Sequence, residues 1–344
     1  MRRSLITLSC LLVACGGGGG HSGDDTSQID AKDYQDAPPL TGDKFTLQFP
    51  TIHVDPSAED TQCVWMRLDN PEPIKVHQLH NTLSPTSHHL IVYKDNHDMT
   101  EQLTPTPCQP FTGALNTTGM IAPIMITQKA DDALTLPDGV AYTLGAHQMI
   151  KIEMHYLNAQ DTAQDSTASV EFYSADPSTI HDEADILFIG TPDVTVPPGT
   201  STVHQFFEVP AYLDLSASNI FAITGHTHHL GTDVQVRVAP SADGPMTSVY
   251  APSPFSWSEP ETTVHAPPFS VPSGGGLDFE CSYDNPTTDT VGFGESANDE
   301  MCFFWAYYYP SQGSKVCVHS NYMNLNLNVC CPGDSLCGLI EDQF

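Results

Sequence analysis

Positive charge is scarce in this chain of 344 residues: 11 Lys+Arg stand against 42 Asp+Glu, for a net charge of -31. A chain so charged repels phosphate backbones and anionic bilayer surfaces, which sets nucleic-acid partners aside. Sustained 3.6-residue periodicity is missing, so amphipathic helices are not expected. The one N-terminal apolar run, Leu5 to Val13, is too short to cross a bilayer as a stable helix. No Ser-His-Asp triad, acid–base dyad or phosphate loop is evident. Paired C-x-x-C spacing is absent too, which weakens a zinc-thiolate reading of the cysteines between 317 and 337.

What is present begins with an export signal. Met1-Arg2-Arg3 precedes the run Leu5 to Val13, and Leu12-Val13-Ala14-Cys15 resembles the lipobox of bacterial lipoproteins. That resemblance implies a signal peptide over 1–14, a lipid on Cys15, and attachment to a bacterial membrane, outer membrane or cell surface. An ordinary signal cut near Ala14, leaving Cys15 a free thiol, is the alternative. The Gly- and Asp-rich stretch that follows, through residue 44, has too little apolar content to fold and reads as a tether. With Cys10 and Cys15 set aside, eight cysteines remain, an even number in an oxidising compartment, so disulfides are the default.

From Phe45 onward, short apolar runs alternate with Pro, Gly, Asn and Asp clusters, as in Phe45–Phe49, Cys63–Leu68, His89–Tyr93 and Met149–Tyr156. With 28 Pro and 24 Gly this is an all-β chain of sandwich type. The polar, turn-rich segment Ser174 to Ala184 reads as a junction. It divides a domain over 45–180 from a second over 181–314, and 315–344 reads as a Cys-rich, disulfide-stapled tail.

Gly225-His226-Thr227-His228-His229-Leu230-Gly231 lies between two strand-like segments. Strand side chains repeat every second residue, so His226 and His228 face one way and can close on one ion. A histidine-rich loop that binds nothing is the plainer reading of an isolated H-x-H. His88 and His89 are adjacent, so they share an ion only if the backbone is bulged there, which Ser84-Pro85-Thr86-Ser87 makes plausible. His155 lies in an apolar strand, where a core histidine is the usual reading. Met301, beside Cys302, offers a soft thioether that favours Cu(I).

Taken in order, these pieces resemble the copper type II, ascorbate-dependent monooxygenases, the peptidylglycine α-hydroxylating and dopamine β-monooxygenase family. The shared pieces include Cys63 with Met66-Arg67-Leu68, His88-His89, Cys108, Leu136-Pro137-Asp138-Gly139-Val140, His155-Tyr156, Val196-Pro197-Pro198-Gly199, His226 to Gly231, Cys281 and Asp299 to Cys302. The resemblance runs from about 45 to 310. It implies two jelly-roll sandwiches facing across an open cleft, each with one copper. His88, His89 and His155 would hold the electron-supplying ion, and His226, His228 and Met301 the one that handles dioxygen. His229 matches a family position that is not a ligand. The implied disulfides are Cys63–Cys108 and Cys281–Cys302. The implied activity is hydroxylation of an activated C–H bond with dioxygen and ascorbate or a similar reductant.

Three positions depart from the peptide-amidating pattern. Thr224 stands where an Arg would pair with a substrate carboxylate, and Phe303 and Trp305 stand where an Asn and a Tyr would be. These changes remove charge and hydrogen bonding, which points to a less polar or aromatic substrate, small molecule or peptide. The expected protein is a monomer that touches a membrane only through its lipid. A copper-binding surface lipoprotein without turnover is the alternative, and a structural lipoprotein the third reading.

Overall fold

The computed structural model describes residues 42–109, 120–294, 296–321 and 325–338. The signal peptide, Cys15 and the tether up to 41 lie outside the described residues. The first half forms β1 (Lys44–Val54), β2 (Glu59–Arg67), β3 (Ile74–Leu83), β4 (Ser87–Asp95), β5 (Gln102–Pro107), β6 (Ile121–Thr127), β7 (Asp131–Thr135), β8 (Val140–Leu144), β9 (Met149–Leu157) and β10 (Gln164–Ala175). One sheet runs β1-β10-β3-β8 and the other β5-β2-β9-β4-β6. The chain switches sheets so that β1, β3, β8 and β10 stack over β2, β4, β6 and β9. That winding is a jelly roll.

After a 3-10 turn at Pro177–Thr179, β11 (Asp182–Glu183) still pairs with β8, and the second half begins at β12 (Asp185–Thr191). It continues through β13 (Thr195–Val196), β14 (Gly199–Glu208), β15 (Asn219–His226), β16 (Gly231–Ala239), β17 (Thr247–Tyr250), β18 (Thr263–Phe269), β19 (Gly276–Asn285), β20 (Val291–Gly292) and β21 (Cys302–Tyr309). Its sheets run β18-β15-β21-β12 and β14-β19-β16-β17, the same winding a second time. The protein is thus all-β, with two tandem sandwiches.

The segment read as a separate tail instead extends the second sandwich. β22 (Lys315–Ser320) pairs parallel to β12, and β23 (Leu327–Cys331) pairs with β22. Alternation explains the difference: Val316 and Val318 point to one core while Cys317 points to the other. Two disulfides, Cys317–Cys330 and Cys331–Cys337, staple this edge, and Cys63–Cys108 and Cys281–Cys302 are also paired.

The sheet containing β15, β21 and β12 is buried on both faces, as its near-continuous apolar runs require. Leu187, Ile189, Phe304 and Ala306 enter the core of the second sandwich. Phe188, Phe303, Trp305 and Tyr307 face the other way and join the core of the first. The Tyr307 hydroxyl donates to the Ile126 carbonyl and accepts the Ile126 N–H at 3.1 Å. Where the resemblance implies an open cleft, packed side chains join the two sandwiches here.

Phe188 stacks on Phe303 with ring centroids 4.9 Å apart. Truncating a buried aromatic removes its transfer energy and leaves a cavity. Phe188→Ala is expected to cost about 3–5 kcal/mol in urea unfolding of the whole chain. A loss below about 1 kcal/mol, the ordinary range for a tolerant site, would show that the two sandwiches are not joined through this face.

Candidate metal centre

The first histidine group sits on the β4–β9 pair. The β4 register slips between Ser87 and His89, so the bulge that adjacent histidines need is present. A cluster of hydroxyls holds it: Ser84 and Ser87 are 3.1 Å apart, and Ser87 lies 3.0 Å from Ser166. His89 then stands opposite His155. His88 Nδ1 and His89 Nδ1 are 3.4 Å apart, and all three imidazoles offer nitrogens within 4.8 Å of one another. Two nitrogens, each ~2.0 Å from a tetrahedral ion, lie about 3.3 Å apart, so the spacing suits ligation.

Glu153, one strand position along from His155, is not part of this group. Its carboxylate accepts the Tyr93 hydroxyl at 3.0 Å and lies 3.4 Å from the Lys151 ammonium. Glu153 also lies near Cys63 and Cys108, but that disulfide removes both thiolates as ligands. His155 Nε2 is 3.0 Å from the Glu59 carboxylate, which leaves Nδ1 for an ion. Glu59 also accepts the Ala297 N–H at 2.9 Å, from the second sandwich. The His155 hydrogen bond, aided by that N–H, outweighs burial and holds Glu59 down to about 2.

The second group forms where β15 ends. β15 stops at His226, so His228 lies beyond the strand, yet the two rings converge at 5.2 Å with an 84° angle. Two glycines allow this path. A Cβ on Gly225 would stand 2.6 Å from Val234 Cγ1, and one on Gly231 would collide with Thr227. The Glu300 carboxylate accepts the N–H groups of His228 at 3.0 Å and Leu230 at 2.7 Å, tying the histidine turn to the Asp299–Met301 segment. Burial pushes Glu300 up, against the pull of those two N–H groups. Met301 is buried beside it, and its carbonyl accepts the Tyr283 hydroxyl at 2.7 Å.

Hydrogen bonds also select the ligand nitrogens. His228 Nδ1 donates to the Asp299 carbonyl at 3.0 Å, and His226 Nδ1 lies 3.0 Å from the Gln128 amide oxygen. His226 Nε2 is buried without a hydrogen-bond partner among the described residues, as a metal-ligating atom would be. Burial is the main force holding these imidazoles neutral, with neighbouring histidines adding repulsion. His88 falls to about 3, His228 to about 4, and His89 and His226 well below their ordinary value. Neutral imidazole nitrogens, with Met301 in the adjoining segment, fit a soft or borderline ion such as copper.

His229 turns away and donates to the Ala297 carbonyl at 2.6 Å. Thr224 is buried and shares a hydrogen bond with Thr262 at 2.8 Å. Phe303 and Trp305 are also buried, Trp305 with its ring 6.2 Å from that of His226. Sequence reasoning missed Glu59, Gln128 and Trp257. Trp257 stacks on His88 at 5.8 Å and meets His229 edge-on at 6.4 Å. Only Trp257 had any signal, as one of the three tryptophans, set in the long loop before β18.

Residues 182–329 match the family model described as the C-terminal domain of copper type II ascorbate-dependent monooxygenases. The matched segment holds His226, His228 and Met301, and the match supports a copper monooxygenase in general terms. Among solved structures, the major capsid protein P2 from Bacteriophage PM2 is similar at 9% identity and a TM-score of 0.32, over 78% of this chain and 100% of that one. The empty top component of Cowpea mosaic virus gives 10% and 0.36, over 84% and 97%.

The depressed imidazoles carry a stability prediction for the metal-free protein. The unfolded chain takes up protons near 6.5, whereas the folded one resists until about 3 to 4 at His88 and His228. Between those limits the unfolded state binds more protons, so stability falls as pH drops from 7 toward 4 and levels off below. Each of His88, His89, His226 and His228 is expected to contribute a slope of about 1.4 kcal/mol per pH unit at most. Urea unfolding at pH 7, 6 and 5 measures this, and equal stability at all three would show that the rings are not held neutral.

Proposed function

We propose that the protein is a copper-dependent monooxygenase that hydroxylates an activated C–H bond using dioxygen and ascorbate or a similar reductant. The observation that carries the reading is the pairing of two histidine groups: His88, His89 and His155 with nitrogens within 4.8 Å of one another in one sandwich, and His226 and His228 with rings 5.2 Å apart in the other, a pair that the Met301 thioether would complete. Copper held by His226, His228 and Met301 would supply dioxygen chemistry, and copper held by His88, His89 and His155 the second electron. The protein's own residues orient these ligands. Glu59 accepts the His155 Nε2–H, the Asp299 carbonyl accepts the His228 Nδ1–H, and Glu300 fixes the turn from His228 to Leu230. Trp257 stacks on His88.

The substrate belongs near Thr224, Phe303 and Trp305, where the lack of charge and the apolar rings of Phe303 and Trp305 favour a weakly polar or aromatic molecule. On this reading the chain acts as an exported monomer, anchored to a bacterial membrane by lipid on Cys15. One observation favours a second reading, copper binding without turnover: these three residues are all buried.

Copper counting with EPR on the Cu(II)-loaded protein tests the first reading. Two type II coppers per chain, reducible by ascorbate, are expected. Met301→Ala should retain the three-histidine copper and lose hydroxylation by more than the ~10–100-fold typical of deleting an outer partner of a ligand. Ascorbate oxidation that no candidate substrate stimulates would favour the second reading, and retained hydroxylation in the variant would refute the assignment of the dioxygen site.

A further inference from the structure

His228 has its Nδ1 partner within its own sandwich, but His226 does not. Gln128 belongs to the first sandwich, one residue past β6, and is buried. Its side-chain amide is the group that meets His226 Nδ1.

The chemistry of the two faces decides which way the amide lies. With NH2 toward Nδ1, the imidazole proton would sit on Nε2, which is buried, has no acceptor among the described residues and could then hold no ion. A buried donor left unpaired is costly. With oxygen toward Nδ1, that proton is donated, and Nε2 keeps a lone pair for an ion. The second arrangement leaves the Gln128 NH2 as the buried donor without a partner among the described residues, so what separates the two is the His226 Nε2 lone pair, which only this arrangement keeps free for an ion.

We propose that Gln128 is a positioning residue for the second centre: it fixes His226 as the Nδ1–H tautomer and aims Nε2 at the ion. The His226/His228/Met301 centre is then fully set only while the first sandwich is docked against it. The Glu59 contact to Ala297 is the reciprocal link, from the outer partner of His155 to the segment that leads into Met301. This inference rests on the metal-centre reading above.

The test uses the full chain, with two variants. Gln128→Met keeps the length of the side chain and removes the acceptor, whereas Gln128→Glu keeps an acceptor. Long-range proton–nitrogen NMR on histidine-labelled, metal-free protein reports the His226 tautomer directly. Competition with a Cu(I) chelator reports affinity at the second centre.

The wild type is expected to show Nδ1–H at His226. Gln128→Met should lose that tautomer and bind the second Cu(I) about 10-fold more weakly, with Gln128→Glu restoring both. A wild type with the proton on Nε2 overturns the inference. So does a two-copper protein in which Gln128→Met leaves tautomer and affinity unchanged. A wild type that holds no second Cu(I) fails the functional reading, and the inference with it.

Discussion

A buried imidazole that must keep a lone pair on one nitrogen has to give the proton of the other to an acceptor. Both histidine groups are arranged around that requirement. Glu59 meets it for His155, the Asp299 carbonyl for His228 and the Gln128 amide for His226. None of these acceptors lies next to its histidine in sequence. Each is delivered by folding, and two of the three link the sandwiches, Gln128 directly and Glu59 through Ala297. Burial then reinforces the selection, because water that could protonate or satisfy the rings is excluded.

The same dependence explains why the β15–β21–β12 sheet is apolar on both sides. Its inner face closes the second sandwich, and its outer face docks the first, which brings Gln128 and Glu59 within reach. The packing of Phe188, Phe303 and Tyr307 thus supports the hydrogen bonds at the histidines, although none of the three is a ligand.

Much of this was legible in the sequence because its signals are local. Strand alternation, the even cysteine set and the H-T-H spacing each declare themselves within a few residues. The bulge at His88–His89 could be stated as a condition, and the β4 register meets it. The outer acceptors could not be read this way. Glu59 opens β2 in a polar stretch, Gln128 follows the apolar β6 by one residue, and neither differs from an ordinary surface residue until the tertiary fold encloses it. The tail after 314 misled for a related reason. Its cysteines suggested an appendix, while its short apolar runs carried too little pattern to reveal a sheet edge.

The two sandwiches repeat one winding, yet their histidines do not repeat. In the first, the ligands sit on β4 and β9, interior strands of the five-stranded sheet. The strands equivalent to these in the second sandwich are β16 and β19, which carry none of the ligand set. The second group instead sits where β15 ends and just before β21 begins, on the opposite layer. Whatever doubled the architecture did not double the chemistry. On the proposed reading, the unlike ligand sets, imidazole alone against imidazole with thioether, occupy different layers of one repeated winding.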